Sequence, residues 1–300
     1  MRARRGLGAG LALLALAGCG GGTHGSIFAY DRSTPLGLRD KGVINGGYPI
    51  KIHDISYASP TRGRVPGYLI VPPGKGPFPA VIYMHGSGGS RADFVPQATW
   101  MAARGAVTLT IDDPLARNPR FRFGTGLAGL DQLHNVYVQE IVDLRRAVDL
   151  LQSLPYVDGK RIAYVGLSAG ARMGAVFAGN EPRVRAFDLM SGGGSPASAY
   201  VNVAPKSARK RVAKAFEGLD NLAEIRHAHA HFLFQDGTKD SVVPRAELLA
   251  LARAAPEPKE VRWYKAGHTL NDLTIHDQLR WLAHELGLGG PVVPGAVTGP

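Results

Sequence analysis

Between residues 50 and 286 the chain alternates short apolar runs with segments of helical spacing, and few architectures accommodate that pattern. The runs 80–84 (AVIYM), 106–111 (AVTLTI), 161–166 (RIAYVG), 184–190, 231–234 and 261–264 are too short for helices and read as buried strands. Between them, residues 135–151 carry apolar side chains at Val138, Ile141, Val142, Leu144, Val148 and Leu151, which is helical spacing. Residues 169–178 form a helix of small side chains, 244–254 a helix opened by Pro244, and 271–286 a last helix. Strands that alternate with helices build a mostly parallel sheet with helices on both faces, an α/β architecture. Ahead of this series, residues 50–59 and 65–71 are short and β-rich, and Pro60-Thr61-Arg62-Gly63 separates them. A leading hairpin is expected, giving the sheet an antiparallel edge.

The domain is expected over residues 48–288. Hydrophobic residues make up 45% of the 300 and charged residues 20%, enough for a packed core and against wholesale disorder. No repeat of solenoid or propeller period is present. Residues 192–229 are the least regular stretch and hold Lys206, Arg209, Lys210, Arg211 and Lys214. They read either as a small lid over a site or as a solvated surface segment.

The N-terminus is an address. Arg2, Arg4 and Arg5 precede an apolar stretch over residues 7–17, the layout of a secretory signal peptide and too short to span a bilayer comfortably. It ends in Leu16-Ala17-Gly18-Cys19, which resembles the bacterial lipobox. That resemblance implies lipid attachment at Cys19 and a membrane-anchored, exported protein; an ordinary signal peptide is the alternative. Cys19 is the one cysteine, so neither an intramolecular disulfide nor a cysteine metal site is possible. Residues 20–47, with GGGTHGS and INGGY, are expected to form a flexible tether. Residues 289–300, rich in Gly and Pro, read as a disordered tail. Loss of the three leader arginines lowers the net charge from +11 to 11 − 3 = +8. That balance suits anionic surfaces or plain solubility. No motif for nucleic acid accompanies it.

Gly166-Leu167-Ser168-Ala169-Gly170 fits G-x-S-x-G and lies between a buried strand and a small-residue helix. In such an elbow the serine occupies a sharp turn, the glycines make room for neighbouring backbone, and the helix N-terminus supplies free amides. A serine hydroxyl needs a base. Asp240, in a loop after the strand at 231–234, and His268, in Lys265-Ala266-Gly267-His268-Thr269 after the last strand, follow in the order Ser, Asp, His. Asp236 rivals Asp240, its neighbour Gly237 pointing to a turn. His276 and His284 lie in a helical pattern, and His227, His229 and His231 flank an earlier strand. A tetrahedral oxyanion needs aimed donors. The expected ones are the amide of Ala169 and, in His85-Gly86-Ser87-Gly88-Gly89, that of Ser87, with Gly86 the alternative. His85 is expected to be structural.

Elbow, HGSGG loop, D-x-x-x-P loop and AGH loop together resemble the α/β-hydrolase superfamily over residues 50–287. The likeness is to its dienelactone-hydrolase and prolyl-oligopeptidase-like esterase branch, which includes acetyl-xylan-esterase-like enzymes. The resemblance implies a three-layer α/β-hydrolase fold and hydrolysis of a carboxylic ester or related acyl bond through an acyl-enzyme on Ser168, without a cofactor. Two features depart from the branch. Dienelactone hydrolases carry a cysteine nucleophile where this chain has Ser168, and there is no room for the propeller of prolyl oligopeptidases. The alternatives are a small-peptide serine peptidase or amidase, a non-catalytic envelope protein, and acyl transfer to an alcohol. Metal hydrolysis is disfavoured: His227, His229 and His231 alternate as on one strand face, but no H-E-x-x-H pattern accompanies them. Asp112-Asp113-Pro114 and Arg117, Arg120 and Arg122 are candidates to border the site or to form a solvated loop.

Overall fold

The computed structural model describes residues 27–44 and 50–289. Nine strands form one sheet, in the order β1-β2-β3-β5-β4-β6-β7-β8-β9. They are β1 (Arg39–Ile44), β2 (Ile52–Ala58), β3 (Arg64–Ile70), β4 (Phe78–Met84), β5 (Val107–Ile111), β6 (Val157–Leu167), β7 (Val184–Met190), β8 (His231–Gly237) and β9 (Lys259–Tyr264). The pairs β1/β2, β2/β3 and β3/β5 are antiparallel, and the other five pairs are parallel. The expected hairpin is β2 and β3, with Ile52 opposite Ile70 and Ala58 opposite Arg64.

The apolar runs are continuous because both faces of the parallel strands are covered. In β4, Ala80, Ile82 and Met84 enter one core while Val81 and Tyr83 enter the other. In β6, Ile162 and Tyr164 likewise oppose Ala163 and Val165. Helices α2 (Gly126–Ser153), α3 (Ala169–Asn180) and α7 (Arg245–Ala254) cover the first face, and α1 (Val95–Ala103) and α8 (Asp272–Glu285) the second. The result is the three-layer arrangement expected from the sequence.

Two helices exceed the expectation. Helix α1 has its own apolar set, Ala98, Met101 and Ala102 among them, against the second core. Helix α2 starts nine residues before Asn135, because Leu127, Leu130 and Leu133 extend its apolar stripe. Residues 192–229 form the short helices α4 (Ala197–Val203), α5 (Arg209–Phe216) and α6 (Asn221–Glu224). Val212, Phe216, Leu219 and Ile225 anchor this segment in the first core, and its lysines and arginines face solvent.

The expected tether over 20–47 requires correction where it is described. Phe28 is 1% exposed within the first core. Arg145 donates to its carbonyl at 2.7 Å, and Tyr30 Oη donates to Asp149 Oδ2 at 2.6 Å. Residues 39–44 then add β1 to the sheet edge, with Arg39 opposite Ser56 and Ile44 opposite Ile52. Every side chain of β1 is exposed, so its backbone ladder holds it without an apolar pattern to reveal it. The leader, Cys19 and residues 290–300 of the tail lie outside the described residues.

Candidate active site

The carboxyl ends of the parallel strands gather the residues of the elbow and its two downstream loops. Ser168 follows β6 directly and precedes α3, with φ 54° and ψ −111°. That strained turn lifts the hydroxyl clear of the strand. Both glycines of the elbow are sterically required. A Cβ on Gly166 would lie 2.6 Å from the backbone of Gly170, and one on Gly170 would lie 2.5 Å from the Met84 carbonyl oxygen. The Ser168 amide donates to the Met190 carbonyl at 2.8 Å, tying the elbow to β7.

Ser168, His268 and Asp240 form a continuous relay. His268 Nε2 lies 2.9 Å from Ser168 Oγ, and His268 Nδ1 lies 2.8 Å from Asp240 Oδ2. An ionised carboxylate only accepts, so Nδ1 carries the proton and Nε2 is left to accept from the serine hydroxyl. The Asp240 side chain is 1% exposed. Burial by itself would raise its pKa. Hydrogen bonds from the Val243 amide, from His268 and from the Val242 amide outweigh that and hold the carboxyl below the usual carboxylate range.

Asp236 does not reach His268. It lies at the end of β8, where burial and the charge of Asp240 push its pKa up to about 7 against the charge of Arg245. His276 and His284 lie on α8, away from the relay. His227 closes a short 3-10 turn and His231 opens β8, so His227, His229 and His231 do not share one strand face. His231 instead pairs with Glu285 at 2.8 Å.

A cavity of about 130 Å³ opens at the nucleophile, bordered by Ser87, Ser168, Ala169, Arg172, Gly193, Ser195, Val243 and Glu247. At about 30 Å³ per water it has room for roughly four waters, or a short acyl group. Both residues expected to supply oxyanion donors, Ser87 and Ala169, border it. Gly86 instead packs under the elbow, where a Cβ would lie 3.3 Å from the Ser168 Cβ. His85 is a bracket for this loop: its Nε2 accepts from the Asp113 amide at 3.2 Å, so its Nδ1 donates to the Gly86 carbonyl at 2.8 Å.

Gly193 and Ser195 are the contribution of the 192–229 segment to the cavity wall. Arg117 turns away and pairs with Asp143, and Arg91 spans Asp54 and Asp112. A larger cleft of about 690 Å³, between Arg62, Arg117, Phe121 and α2, contains no residue of the relay. Among the described residues no group of three or more His, Cys, Asp or Glu is arranged to hold a metal ion. Sequence reasoning missed Arg172 and Glu247. Arg172 had a signal, since it stands four residues beyond Ser168 on the elbow helix and so faces the same way.

The acetyl xylan esterase (AXE1) family model matches residues 45–190. The acetyl esterase Axe7A of Xylanibacter ruminicola is 31% identical over 139 residues, 42% of this chain and 32% of that protein. Acyl-coenzyme A thioesterase 5 of Mus musculus is 27% identical over 200 residues, 67% of this chain and 40% of that one. The chain thus spans less than half the length of these curated relatives. Among solved structures, an acetyl xylan esterase from Paenibacillus sp. R4 superposes with a TM-score of 0.72 at 22% identity, covering 83% of this chain and 89% of that one. Sheet order and flanking helices give the chain the three-layer α/β fold of these esterase structures.

Proposed function

We propose that this protein is a serine esterase that removes short acyl groups, of the acetyl class, from alcohols. The observation that carries the reading is the relay from Asp240 through His268 to Ser168, opening on a cavity sized for a short acyl chain. The relatives named for acetyl ester and acyl thioester hydrolysis support it.

His268 Nε2 takes the proton of Ser168 Oγ as that oxygen attacks the ester carbonyl. Asp240 keeps the imidazole in the Nδ1–H tautomer and stabilises its positive charge. The amides of Ala169 and Ser87 receive the oxyanion. His268 then gives its proton to the leaving alcohol, and water repeats the sequence to release the acid and free Ser168.

A series of p-nitrophenyl esters from acetyl to long-chain acyl tests this. The expected kcat/KM is highest at acetyl or propionyl and falls with chain length. A maximum at long chains, or no hydrolysis of any ester by folded protein, would refute it. We further propose export and lipid anchoring at Cys19, supported by the three leader arginines, the apolar stretch and the Leu-Ala-Gly-Cys sequence. Cys19→Ala is then expected to move the protein from the membrane fraction to the soluble one.

A further inference from the structure

Arg172 holds an unusual position in the wall of the nucleophile cavity. Five other arginines withdrawn from solvent have carboxylate partners. Arg91 pairs with Asp54, Arg117 with Asp143, Arg145 with Glu181, and Arg146 and Arg183 with Asp149. Arg172 has no carboxylate within ion-pair distance among the described residues. Its Nη2 donates to Tyr137 Oη at 2.5 Å, and its guanidinium carbon lies 5.2 Å from the centre of that ring. Its Nε is buried with no acceptor, and its Nη1 donates to no protein atom among the described residues.

Among the described residues the buried carboxyl on the facing helix makes no ion pair or hydrogen bond with it. Glu140, on α2, is 5% exposed. Burial pushes its pKa well above the ordinary carboxylate range, and repulsion from Asp113 adds to that. The charges of Arg172 and Arg117 oppose that rise, and Arg172 itself stays charged. A guanidinium taken from water without a counter-ion is costly unless an anion completes it. Glu247, itself exposed on α7, borders the same cavity, so an entering anion is driven toward the Arg172 side.

We propose that Arg172 recognises a carboxylate carried by the substrate within a few atoms of the scissile ester, so that the substrate class is short esters of acidic molecules. This rests on the serine-esterase reading. The planar fork of arginine suits a carboxylate, and the fixed Tyr137 contact holds it ready.

Two matched substrate pairs test it: 4-acetoxybenzoate against its methyl ester, and monomethyl succinate against dimethyl succinate. In at least one pair the anion is expected to have kcat/KM roughly tenfold or more above its neutral partner, the scale of a charged hydrogen bond. Arg172→Gln is expected to erase that preference and Glu247→Gln to increase it. The preference should also fall as salt is added. Equal or better hydrolysis of the neutral ester in both pairs would overturn the assignment while leaving the esterase reading intact. A preference that survives Arg172→Gln would overturn it as well. Should that variant fail to fold, an unchanged preference in Glu247→Gln and at high salt would overturn it. No hydrolysis of any ester would overturn the function itself, and this assignment with it.

Discussion

The Ser191 hydroxyl donates to the backbone carbonyl of His268 at 2.9 Å, across 77 residues of sequence. Ser191 is fully buried at the end of β7, with φ 50°. Its amide donates to the Gln235 carbonyl at 2.9 Å. One residue in a strained conformation therefore links β7, β8 and the histidine loop. Ser191→Ala is expected to lower kcat about tenfold with little change in KM, because the histidine loses its height above the elbow. Ser191→Gly relieves the positive φ and should keep its melting temperature while showing the same loss of kcat. Full activity in both variants would show that the contact does not position His268.

Asp240→Asn keeps the shape of the loop but offers His268 an amide that can turn its donor toward Nδ1. The wrong tautomer then faces Ser168, and a fall in kcat of roughly a thousandfold or more is expected with the fold intact. Because the carboxyl of Asp240 titrates below the usual range, its stabilising contribution is present above the ordinary aspartate pKa and is lost only as pH falls through the lowered value. Asp236→Asn, by contrast, should leave most of the activity, and steady-state kinetics on the two variants separates these roles.

Asp188 predicts an opposite pH dependence. It is fully buried in β7, where burial raises its pKa from 3.8 to about 8 against a hydrogen bond from Gln278. The folded protein therefore holds a proton that the unfolded chain has already released. Stability from this group is complete below the unfolded pKa and is lost as pH rises through the folded one. Asp188→Asn should match the parent near pH 4 and melt progressively higher than it as pH approaches 8, read by thermal unfolding across that range. A difference that is constant with pH would contradict this.

Phe28→Ala tests whether residues 27–44 belong to the folded body. A buried phenylalanine removed from a core costs about 3–5 kcal/mol. Chemical denaturation should show a loss of that order. A free tether would show none.

The alternation of apolar runs and helical segments made the sheet and its flanking layers legible, because each parallel strand needs apolar side chains on both faces. The relay was legible for a related reason: the elbow demands glycine at 166 and 170, and strand-end loops announced Asp240 and His268 by their order. Strand β1 was hidden, since its stability comes from backbone hydrogen bonds that leave no side-chain pattern. The lone charge of Arg172 was equally hidden, because whether an arginine has a partner is decided by α2, which meets α3 only in the fold. Ser191 carried no signal either: a serine after a strand looks like any turn residue until its carbonyl partner is in place.

The most direct test of the account is covalent labelling with a fluorophosphonate, followed by intact and peptide mass analysis. A hydroxyl activated as in this relay should take up one equivalent, located on Ser168, with no uptake in Ser168→Ala and much slower uptake in His268→Ala. Absence of any adduct on folded protein, or ester hydrolysis that survives Ser168→Ala, would contradict the assignment of Ser168 as nucleophile.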